Sequence, residues 1–476
     1  MTSPVADTPH TSGPALRSVD LQDLRDAVGT AFPATVEQLK ELVAIPGIAW
    51  PSFDPAQLDR SADAVAALVR AAGLEDVRIL RCPKEDGTPG GPAVVARREA
   101  APGKPTILLY AHHDVQPPGD PALWDSEPFT AVERNGRLYG RGAADDKAGI
   151  MAHLGAYAAV AKVLGEDFGV GVTFFFEGEE EAGSPTFRPF LEAHRDLLEA
   201  DVIVVADSSN WQVGIPALTT SLRGLVDGTI EVKVLEHAVH SGMFGGPVLD
   251  APTCLARLIA SFHNANGEVA IAGLVGRDDV QVDMTDEDFR RDASVLDGVR
   301  LAGTGSISSR LWTKPALSII GIDAPAVAVA SNTLIPTARA KFSLRLAPGQ
   351  DPDAAMEAMR KHVAEHAPFG ATVVFTPGET GEPFSTDTAS AAAGTAMWAL
   401  GEAWGVPAVE TGIGGSIPFI ADLLQVYPQA QILVTGVEDP DSRAHSANES
   451  LHLGDFRNAI VAEAFMLAKL NESGLS

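Results

Sequence analysis

Histidine, aspartate and glutamate are concentrated in five short segments that lie far apart in the sequence. Four of these segments follow short apolar runs, and the fifth lies between a glycine-rich turn and a predicted helix. Ligands bind beyond the carboxyl ends of the strands in an open α/β sheet, so we expect the five segments to meet at one sheet edge. They are His112–Asp114, Asp145–Asp146, Glu177–Glu181, Asp207 and His445–Glu449.

An edge that carries so many carboxylates needs bound cations to offset its charge. Carboxylates mixed with imidazoles suit zinc, manganese or cobalt, whereas calcium rarely accepts two histidines. Two histidines and three or four carboxylates exceed the ligand set of one catalytic zinc, so we infer two metal ions that share a carboxylate. Such a pair, about 3.5–4 Å apart, lowers the pKa of a bridging water and polarises a scissile carbonyl. A separate carboxylate must then move the proton, and the adjacent Glu180 and Glu181 can divide these tasks.

Each segment also has a simpler interpretation when it is considered alone. A run of glutamates is typical of a solvated acidic turn, and Asp145 and Asp146 are suited to cap a helix N-terminus. His445 can serve as a hydrogen-bonding residue of its loop. The metal hypothesis therefore depends on the recurrence of these residues at strand ends and not on any one motif.

The apolar runs indicate an α/β fold with a parallel-rich sheet sandwiched by helices. The runs are short and almost uninterrupted, as expected for strands that are buried on both faces. Stretches with helical spacing alternate with these strands along the chain. The predicted strands are Thr106–Tyr110, Val172–Phe176, Val202–Val205 and Gln431–Val434, and the predicted helices include Leu21–Leu42, Arg60–Ala72, Lys147–Leu164 and Thr186–Leu198.

The pattern changes in the middle of the chain. Thr229–Leu235 and Lys341–Leu346 alternate polar and apolar residues, which predicts antiparallel strands with one buried face. We therefore predict an α+β domain inserted into the α/β domain. The predicted boundaries are a flexible segment at 1–20, the first part of the catalytic domain at 21–213, the insertion at 214–384, and the second part of the catalytic domain at 385–476.

The overall composition narrows the function classes. The 476 residues carry a net charge of −28, which disfavours nucleic acid and anionic membranes as partners. The two cysteines, Cys82 and Cys254, cannot form a disulfide framework. The first twenty residues lack the basic start and apolar core of a secretory signal, so we expect a cytoplasmic protein.

At the segments described above, the sequence closely resembles a family of di-zinc metallopeptidases. The family includes carnosinase, the cytosolic nonspecific dipeptidases, glutamate carboxypeptidase and succinyl-diaminopimelate desuccinylase, and the resemblance is strongest to the dipeptidase branch. It implies a zinc-exopeptidase-like catalytic domain and an inserted lid that forms a homodimer. The matching stretches are LLYAHHDVQP (108–117), WDSEPFTAVERNGRLYGRGAADDKAG (124–149), FEGEEEAGS (176–184), ADSSNW (206–211), PALTTSLRG (216–224), HSGMFGG (240–246), SNTLIP (331–336), FSLRLAPGQ (342–350), GGSIP (414–418) and AHSANE (444–449).

The resemblance assigns roles to the residues of the acidic edge. Two divalent ions, Zn²⁺ with Mn²⁺ or Co²⁺ as alternatives, are expected in each subunit. The implied ligands are His112 and Asp207 for one ion, Glu181 and His445 for the other, and Asp145 as the bridge. Asp114 is expected to orient the ring of His112. Glu180 is expected to act as the general base and then as the acid.

The resemblance also assigns roles to residues of the lid and of the second catalytic segment. His240 is expected to reach the partner's site and stabilise the oxyanion there, with help from Asn332. Arg345 is expected to bind the substrate carboxylate through its guanidinium fork. Gly415 and Ser416 are expected to donate hydrogen bonds to the same carboxylate.

Three positions depart from the family pattern. Ala111 stands where glycine usually precedes the first histidine, and Ala148 stands where glycine often follows the Asp-Lys pair. Glu179 stands where the glutamate run is often apolar, so we expect it to influence metal preference. No departure removes a predicted ligand.

The sequence therefore predicts a metal-dependent dipeptidase that cleaves dipeptides with a free C-terminal carboxylate through a metal-bridging hydroxide. An N-acyl amino acid deacylase or desuccinylase is the alternative within the same chemistry. A non-catalytic relative that keeps the fold is a third hypothesis, and it predicts a lost ligand or base, which the sequence does not show.

Overall fold

The computed structural model describes residues 19–415 and 418–475. Within these ranges the helices are α1 (Leu21–Val43), α2 (Pro55–Ala71), α3 (Lys147–Leu164), α4 (Phe187–Ala193), α5 (Arg195–Leu198), α6 (Ser241–Phe244), α7 (Ala251–Ala260), α8 (Asp286–Asp292), α9 (Ile307–Trp312), α10 (Pro352–Glu365), α11 (Ala391–Trp404), α12 (Pro418–Val426) and α13 (Leu453–Ser473). The strands are β1 (Val77–Leu80), β2 (Ala93–Arg98), β3 (Thr106–His112), β4 (Val132–Arg134), β5 (Arg137–Tyr139), β6 (Gly171–Glu177), β7 (Val202–Val205), β8 (Ala217–Leu222), β9 (Gly224–Lys233), β10 (Val239–His240), β11 (Ala316–Asp323), β12 (Thr333–Leu334), β13 (Thr337–Leu346), β14 (Thr372–Gly381), β15 (Phe384–Ser385), β16 (Val409–Ile413), β17 (Gln431–Val434) and β18 (Ser450–His452).

A large mixed sheet organises the catalytic part of the chain. Its order is β1-β2-β6-β3-β7-β17-β8-β15, and β16 also pairs with β8. The central strands β6, β3, β7 and β17 are parallel to one another, so their carboxyl ends lie at the same edge. The predicted α/β class with a parallel-rich centre is confirmed.

Alternate side chains of the central strands enter two separate hydrophobic cores. On β3, Ile107 and Leu109 pack with α1, α3, α11 and α13 on one face of the sheet. Leu108 and Tyr110 pack with α4 and α12 on the other face. Burial on both faces explains the unbroken apolar runs in the sequence.

A four-stranded antiparallel sheet, in the order β11-β13-β9-β14, forms the inserted domain, which we call the lid. Inward residues of β9 and β13, such as Val226 and Phe342, pack against α7 and α10. The alternate residues of β13, including Arg345, point to the face without these helices. This single covered face accounts for the alternating pattern that predicted the insertion.

The chain passes between the large sheet and the lid sheet at two positions that lie side by side, which we call the crossings. Strand β8 still belongs to the large sheet and β9 belongs to the lid sheet, so the first crossing is at Arg223, beyond the predicted boundary at 214. The second crossing lies between β14 and β15. The division into domain units at 214 and 384 stays a prediction, and most of the predicted flexible segment 1–20 lies outside the described residues.

Predicted and observed helices differ mainly at their ends. Helix α2 begins at Pro55, after the capping side chain of Asp54, because proline is well tolerated in the first helical turn. The single helix predicted from Thr186 to Leu198 is two helices that meet at His194. The segment 147–167 is apolar and long enough to cross a membrane, but most of it is buried in the protein core.

Candidate metal centre

Asp145 lies between two histidine rings. Its Oδ1 atom is 3.1 Å from Nε2 of His112, and its Oδ2 atom is 3.1 Å from Nε2 of His445. The same nitrogen of His445 is 3.2 Å from Oε2 of Glu181. Four of the predicted ligands, from four distant segments, therefore lie within a few ångströms of one another.

The fold delivers each of these groups to the carboxyl edge of the central strands. His112 is the last residue of β3, and Asp207 follows β7 by two residues. Glu180 and Glu181 form a short 3₁₀ turn directly after β6. Asp145 lies just before α3, two residues from its first residue.

Asp207 and Glu180 lie beside these four residues. We call the six residues together the acidic cluster: His112, Asp145, Glu180, Glu181, Asp207 and His445. His112, Glu180 and Asp207 offer ligand atoms that lie within 4.8 Å of one another, as do His112, Asp145 and Glu181. The Asp207 carboxylate makes no hydrogen bond or ion pair with any residue in 19–415 or 418–475. A partly buried carboxylate without a partner indicates that a cation belongs beside it.

Glu449 organises the loop that carries Asp145, although its role was not predicted. Its buried carboxylate accepts hydrogen bonds from the backbone amides of Gly142, Ala144 and Asp145, at 2.9–3.1 Å. The guanidinium of Arg141 also donates to it, at 2.6 Å. One carboxylate thus joins the His445 loop to the Asp145 loop, and the AHSANE motif was the only sequence signal for it.

Asp114 and Gln116 hold the other acidic loop. The two carboxylate oxygens of Asp114 accept hydrogen bonds from the amides of Glu180 and Glu181, at 3.1 and 3.0 Å. Nδ1 of His112 lies 3.5 Å from the Asp114 carboxylate and 3.1 Å from its backbone carbonyl oxygen. Gln116, which the sequence analysis did not single out, donates to the Glu181 carboxylate at 2.7 Å. Asp114 therefore positions the glutamate turn as well as the ring of His112.

Two other residues of the acidic segments point away from the cluster. The carboxylate of Glu179 accepts hydrogen bonds from the amides of Gly91 and Thr186, at 2.6 and 3.0 Å. Nε2 of His113 donates to the carbonyl oxygen of Pro92 at 2.8 Å, and burial lowers the pKa of this ring to about 4. Glu179 therefore fixes a neighbouring loop, and nothing in its contacts connects it with metal preference.

The electrostatics of the cluster favour bound cations. Burial raises the pKa of Glu180 to about 9 and the pKa of Asp207 to about 6. Hydrogen bonds with Asp145 and Glu181 raise the pKa of His445 to about 11. Burial opposes protonation of His112, but its contacts with Asp114 and Asp145 raise its pKa well above the usual range. Protons therefore supply the positive charge that these carboxylates require when no metal is bound.

Glu438 is a further acidic group that the sequence analysis did not single out. Burial and the charges of Asp145 and Asp207 raise the pKa of its carboxyl group well above the usual range. Glu438 follows β17 by four residues, so its position just after a predicted strand was a signal in the sequence.

The donor set of the whole cluster consists of imidazole nitrogens and carboxylate oxygens. This set fits the divalent ions that the sequence predicts.

The structure places His240 and Asn332 together at the tip of the lid. Strands β10 and β12 pair there, and the amide of Ser241 donates to the carbonyl oxygen of Asn332 at 3.0 Å. Nδ1 of His240 accepts a hydrogen bond from the amide of Gly242 at 3.0 Å, which leaves Nε2 directed to solvent. Both side chains are exposed.

Arg345 lies at the opposite end of the lid sheet. It pairs with Leu225 on β9, near the crossing into the catalytic sheet, whereas the lid tip follows the far end of β9. Its half-buried guanidinium has no hydrogen bond or ion pair within the described part of the chain. Gly415 lies in the loop after β16, and Ser416 lies outside the described residues.

Comparisons with known proteins identify the family of this chain. Residues 108–469 match peptidase family M20/M25/M40. The chain is 36 % identical over 414 residues to a cysteinylglycine-S-conjugate dipeptidase of Corynebacterium striatum, covering 86 % of this chain and 89 % of that protein. It is 27 % identical to a Beta-Ala-His dipeptidase of Rattus norvegicus, covering 82 % of each.

The structure of human carnosine dipeptidase 1 is similar in fold. The two superpose with a TM-score of 0.71 at 24 % identity, covering 95 % of this chain and 99 % of that one. The family match extends from β3 to α13 and so includes every strand end of the acidic cluster. This chain therefore belongs to peptidase family M20/M25/M40.

Proposed function

We propose that this protein is a dipeptidase that uses two divalent metal ions to hydrolyse dipeptides with a free C-terminal carboxylate. The observation that carries the proposal is Asp145, whose two oxygens each face a different histidine. A carboxylate in that position is suited to bridge two ions. The dipeptidase names of the relatives from Corynebacterium striatum and Rattus norvegicus support the substrate class.

Under this proposal, His112 and Asp207 would hold one ion, Glu181 and His445 would hold the other, and Asp145 would be shared by both. The contacts of His445 with both Glu181 and Asp145 support the second half of this assignment. When bound, the ions lower the pKa of the attacking water and polarise the substrate carbonyl. Zinc suits this ligand set, and manganese or cobalt are the alternatives.

Glu180 is the proposed general base. Its carboxylate lies 4.0 Å from Nε2 of His112, beside the ligands, and makes no hydrogen bond of its own within the described residues. It is therefore free to take a proton from the attacking water and to deliver that proton to the leaving amide nitrogen. Asp114 restrains it indirectly, because it accepts the hydrogen bond from the Glu180 amide.

His240 and Asn332 of the lid are proposed to act on the active site of the partner in a homodimer. Thr337 and Arg345 are eight positions apart on β13, so the two ends of the lid sheet are about 26 Å apart. His240, at the far end, is thus poorly placed to join Arg345 at one active site of the same chain. In a dimer, Nε2 of His240 could donate to the oxyanion in the partner's site, with Asn332 beside it.

The edge strand of the lid supports such a dimer. Within the described residues, strand β11 has a neighbour on one side only, and Ile320 and Ile322 are 57 % and 59 % exposed on it. An open edge with exposed apolar side chains offers backbone groups and apolar surface with which another chain can pair. We propose that the edge of a second copy covers β11.

Arg345 is proposed to bind the C-terminal carboxylate of the substrate. Its guanidinium has no acidic partner among residues 19–415 and 418–475, which leaves the fork available for a ligand. Gly415 and Ser416 are proposed to donate to the same carboxylate. The cytoplasm is the proposed compartment, since Cys82 and Cys254 are both free and buried.

The test is a substrate comparison with metal-loaded protein. Purified protein is stripped with a chelator, reloaded with zinc, manganese or cobalt, and assayed on Ala-Gly, Ala-Gly amide, N-acetyl-glycine and N-succinyl-glycine. We expect metal-dependent hydrolysis of Ala-Gly and strongly reduced hydrolysis of its amide. Faster hydrolysis of either acylated glycine would replace the dipeptidase proposal with a deacylase.

A further inference from the structure

Arg223 is a buried arginine that has no acidic partner among residues 19–415 and 418–475. The residue is 8 % exposed, and its Nε atom donates to the carbonyl oxygen of Gly414 at 2.9 Å. Its Nη1 atom makes a long contact of 3.4 Å with the carbonyl oxygen of Arg310. Nη2 makes no hydrogen bond with any residue that the structure describes. A guanidinium that has been removed from water usually has a carboxylate to compensate it.

Arg223 is located where the substrate carboxylate is proposed to bind. It is the single residue between β8 of the catalytic sheet and β9 of the lid sheet. The strand register places Leu346 opposite Gly224 and Arg345 opposite Leu225. The two arginines therefore lie at the same crossing, one on each of two paired strand ends.

The loop of Gly414 and Gly415 packs directly on the Arg223 side chain. A β-carbon added at Gly414 would lie 2.9 Å from Nη2 of Arg223, so a larger residue there would collide with the guanidinium. The Arg223 amide also donates to the carbonyl oxygen of Ile413 at 3.2 Å, which fixes the start of the loop. Arg223 thus touches the loop that is proposed to donate to the carboxylate.

The two guanidinium groups also affect each other. Burial, and then the positive charge of Arg345, lower the pKa of Arg223 to about 10. Two like charges placed together raise the free energy of the folded state. An anion bound between them removes this cost and gains a charge-assisted hydrogen bond from each.

We propose that Arg223 is a second guanidinium of the carboxylate site, which binds the substrate's C-terminal carboxylate through Nη2 while Nε holds the Gly414 loop. This inference rests on the proposed dipeptidase function and on the proposed role of Arg345. It assigns the carboxylate two cations, one from the lid strand β13 and one from the crossing between the domains. Binding of the carboxylate then connects the lid to the catalytic sheet.

The experiment compares Arg223→Met and Arg345→Met with the matched control Arg97→Met. Arg97 likewise donates to backbone carbonyl oxygens, those of Leu197 and Glu199 at 3.0 Å, but it lies on β2 away from the site. Each variant is assayed on Ala-Gly and Ala-Gly amide. Inhibition by free glycine and by glycine amide is measured as well, because it reports carboxylate binding without turnover.

We expect Arg223→Met to raise KM for Ala-Gly and Ki for glycine by about tenfold or more, since a charge-assisted bond contributes about 1.5–3 kcal/mol. The constants for the two amides should change less than about twofold, a difference that a purely structural role would not produce. Arg223→Lys, which keeps the charge, should recover part of the loss. If Arg223→Met does not fold, Arg223→Lys alone tests the proposal. Lysine lacks the two-pronged guanidinium, so this variant should still raise Ki for glycine more than Ki for glycine amide.

Equal losses on Ala-Gly and its amide would overturn the role of Arg223 and make it a structural brace. Selective loss in Arg345→Met but not in Arg223→Met would likewise remove Arg223 from the site and leave the proposed function intact. Failure of the wild-type protein to hydrolyse any dipeptide would instead refute the proposed function, and this inference with it. Arg97→Met should leave all four constants unchanged.

Discussion

The metal centre and the lid hold their chemical groups in opposite ways. At the metal centre, Asp145 and Glu181 are buried and contact histidines, and their loops are fixed by hydrogen bonds with Glu449 and Gln116, which lie 304 and 65 residues away in the sequence. On the lid, His240 is exposed, and Arg345 has no partner within the described residues. These acidic groups of the catalytic domain therefore have their partners within one chain, whereas His240 and Arg345 are the lid groups that we propose to act on a second chain and on the substrate.

This difference has an energetic basis. Buried carboxylates are costly unless every loop around them is fixed and a cation is supplied, so the metal centre must be preorganised. An exposed imidazole costs little to leave in water, so His240 needs no partner within its own chain. Changes at the centre should consequently abolish chemistry or metal binding, and changes on the lid should affect assembly and substrate binding.

The largest expected effect is that of Glu180→Gln at the metal centre. The variant keeps the shape of the side chain but cannot accept the proton, so kcat should fall about 10²–10⁴-fold while the metal content stays unchanged. Steady-state kinetics together with metal analysis of the same sample measure both quantities. Native turnover by this variant would remove Glu180 from the role of base.

His240→Ala tests the lid side of the comparison. Loss of an oxyanion donor should reduce kcat about 10²–10³-fold. Mixing His240→Ala with Glu180→Gln should restore activity to about a quarter of the native value, since a mixed dimer contains one intact site in two. Mixtures that remain as inactive as the separate variants would show that His240 does not act across a dimer.

Glu449→Gln tests whether the loops of the centre are preorganised. An amide cannot accept the three backbone hydrogen bonds and the Arg141 contact as a carboxylate does. We expect metal affinity to fall about 10–100-fold, as for other groups that orient ligands. Competition with a chromogenic chelator measures the affinity, and an unchanged value would mean that the Asp145 loop holds its form without Glu449.

The pH dependence of metal binding tests the electrostatics of the centre. Hydrogen bonds with Asp145 and Glu181 raise the pKa of His445 to about 11, so this ring carries a proton at neutral pH in the metal-free protein. A metal ligand must lose that proton, so affinity should rise with pH, by about tenfold per unit for each proton released. In the metal-free protein, the contribution of protonated His445 to stability should be complete below the unfolded pKa, about 6.5, and decline as pH rises towards 11.

Titration calorimetry in two buffers with different ionisation enthalpies counts the released protons. Thermal melts of the metal-free protein across the same pH range give the stability change. An affinity that does not depend on pH would contradict the proposal that protons replace the metal ions in this cluster.

Glu179→Gln should have the smallest effect on catalysis. Its carboxylate fixes Gly91 and Thr186 and has no contact with the acidic cluster, so kcat and metal preference should stay unchanged. The free energy of unfolding should fall by about 1–3 kcal/mol because the amide group of glutamine keeps one acceptor oxygen, so one of the two backbone N–H groups loses its acceptor. Urea denaturation measures this loss, and the variant is a matched control for its neighbour Glu180.

The rule that ligand-binding residues follow the carboxyl ends of parallel strands located most of the acidic cluster from sequence. Four apolar runs were correctly predicted as β3, β6, β7 and β17, and the residues after them lie at one sheet edge. The rule succeeds because a strand buried on both faces has an unmistakable composition, and because parallel strands end on the same side.

The same rule could not separate neighbours within one segment. Glu179, Glu180 and Glu181 are chemically identical, and only their backbone directions decide that Glu179 faces Gly91 while Glu181 faces His445. Glu449 and Gln116 act through hydrogen bonds to distant segments, which leave no periodic pattern in the sequence. The importance of these residues became apparent only from their partners.

What the sequence by itself determined is the class of fold, the family and the set of groups that meet at the sheet edge, because burial and residue chemistry are local properties that a sequence records directly. Only the tertiary structure decided which oxygen faces which histidine, that the lid tip lies far from Arg345, and that Arg223 is buried at the crossing with no acidic partner in the part of the chain that the structure describes. These are distances between parts of the chain, and they exist only after the sheets have paired and the loops have closed on one another.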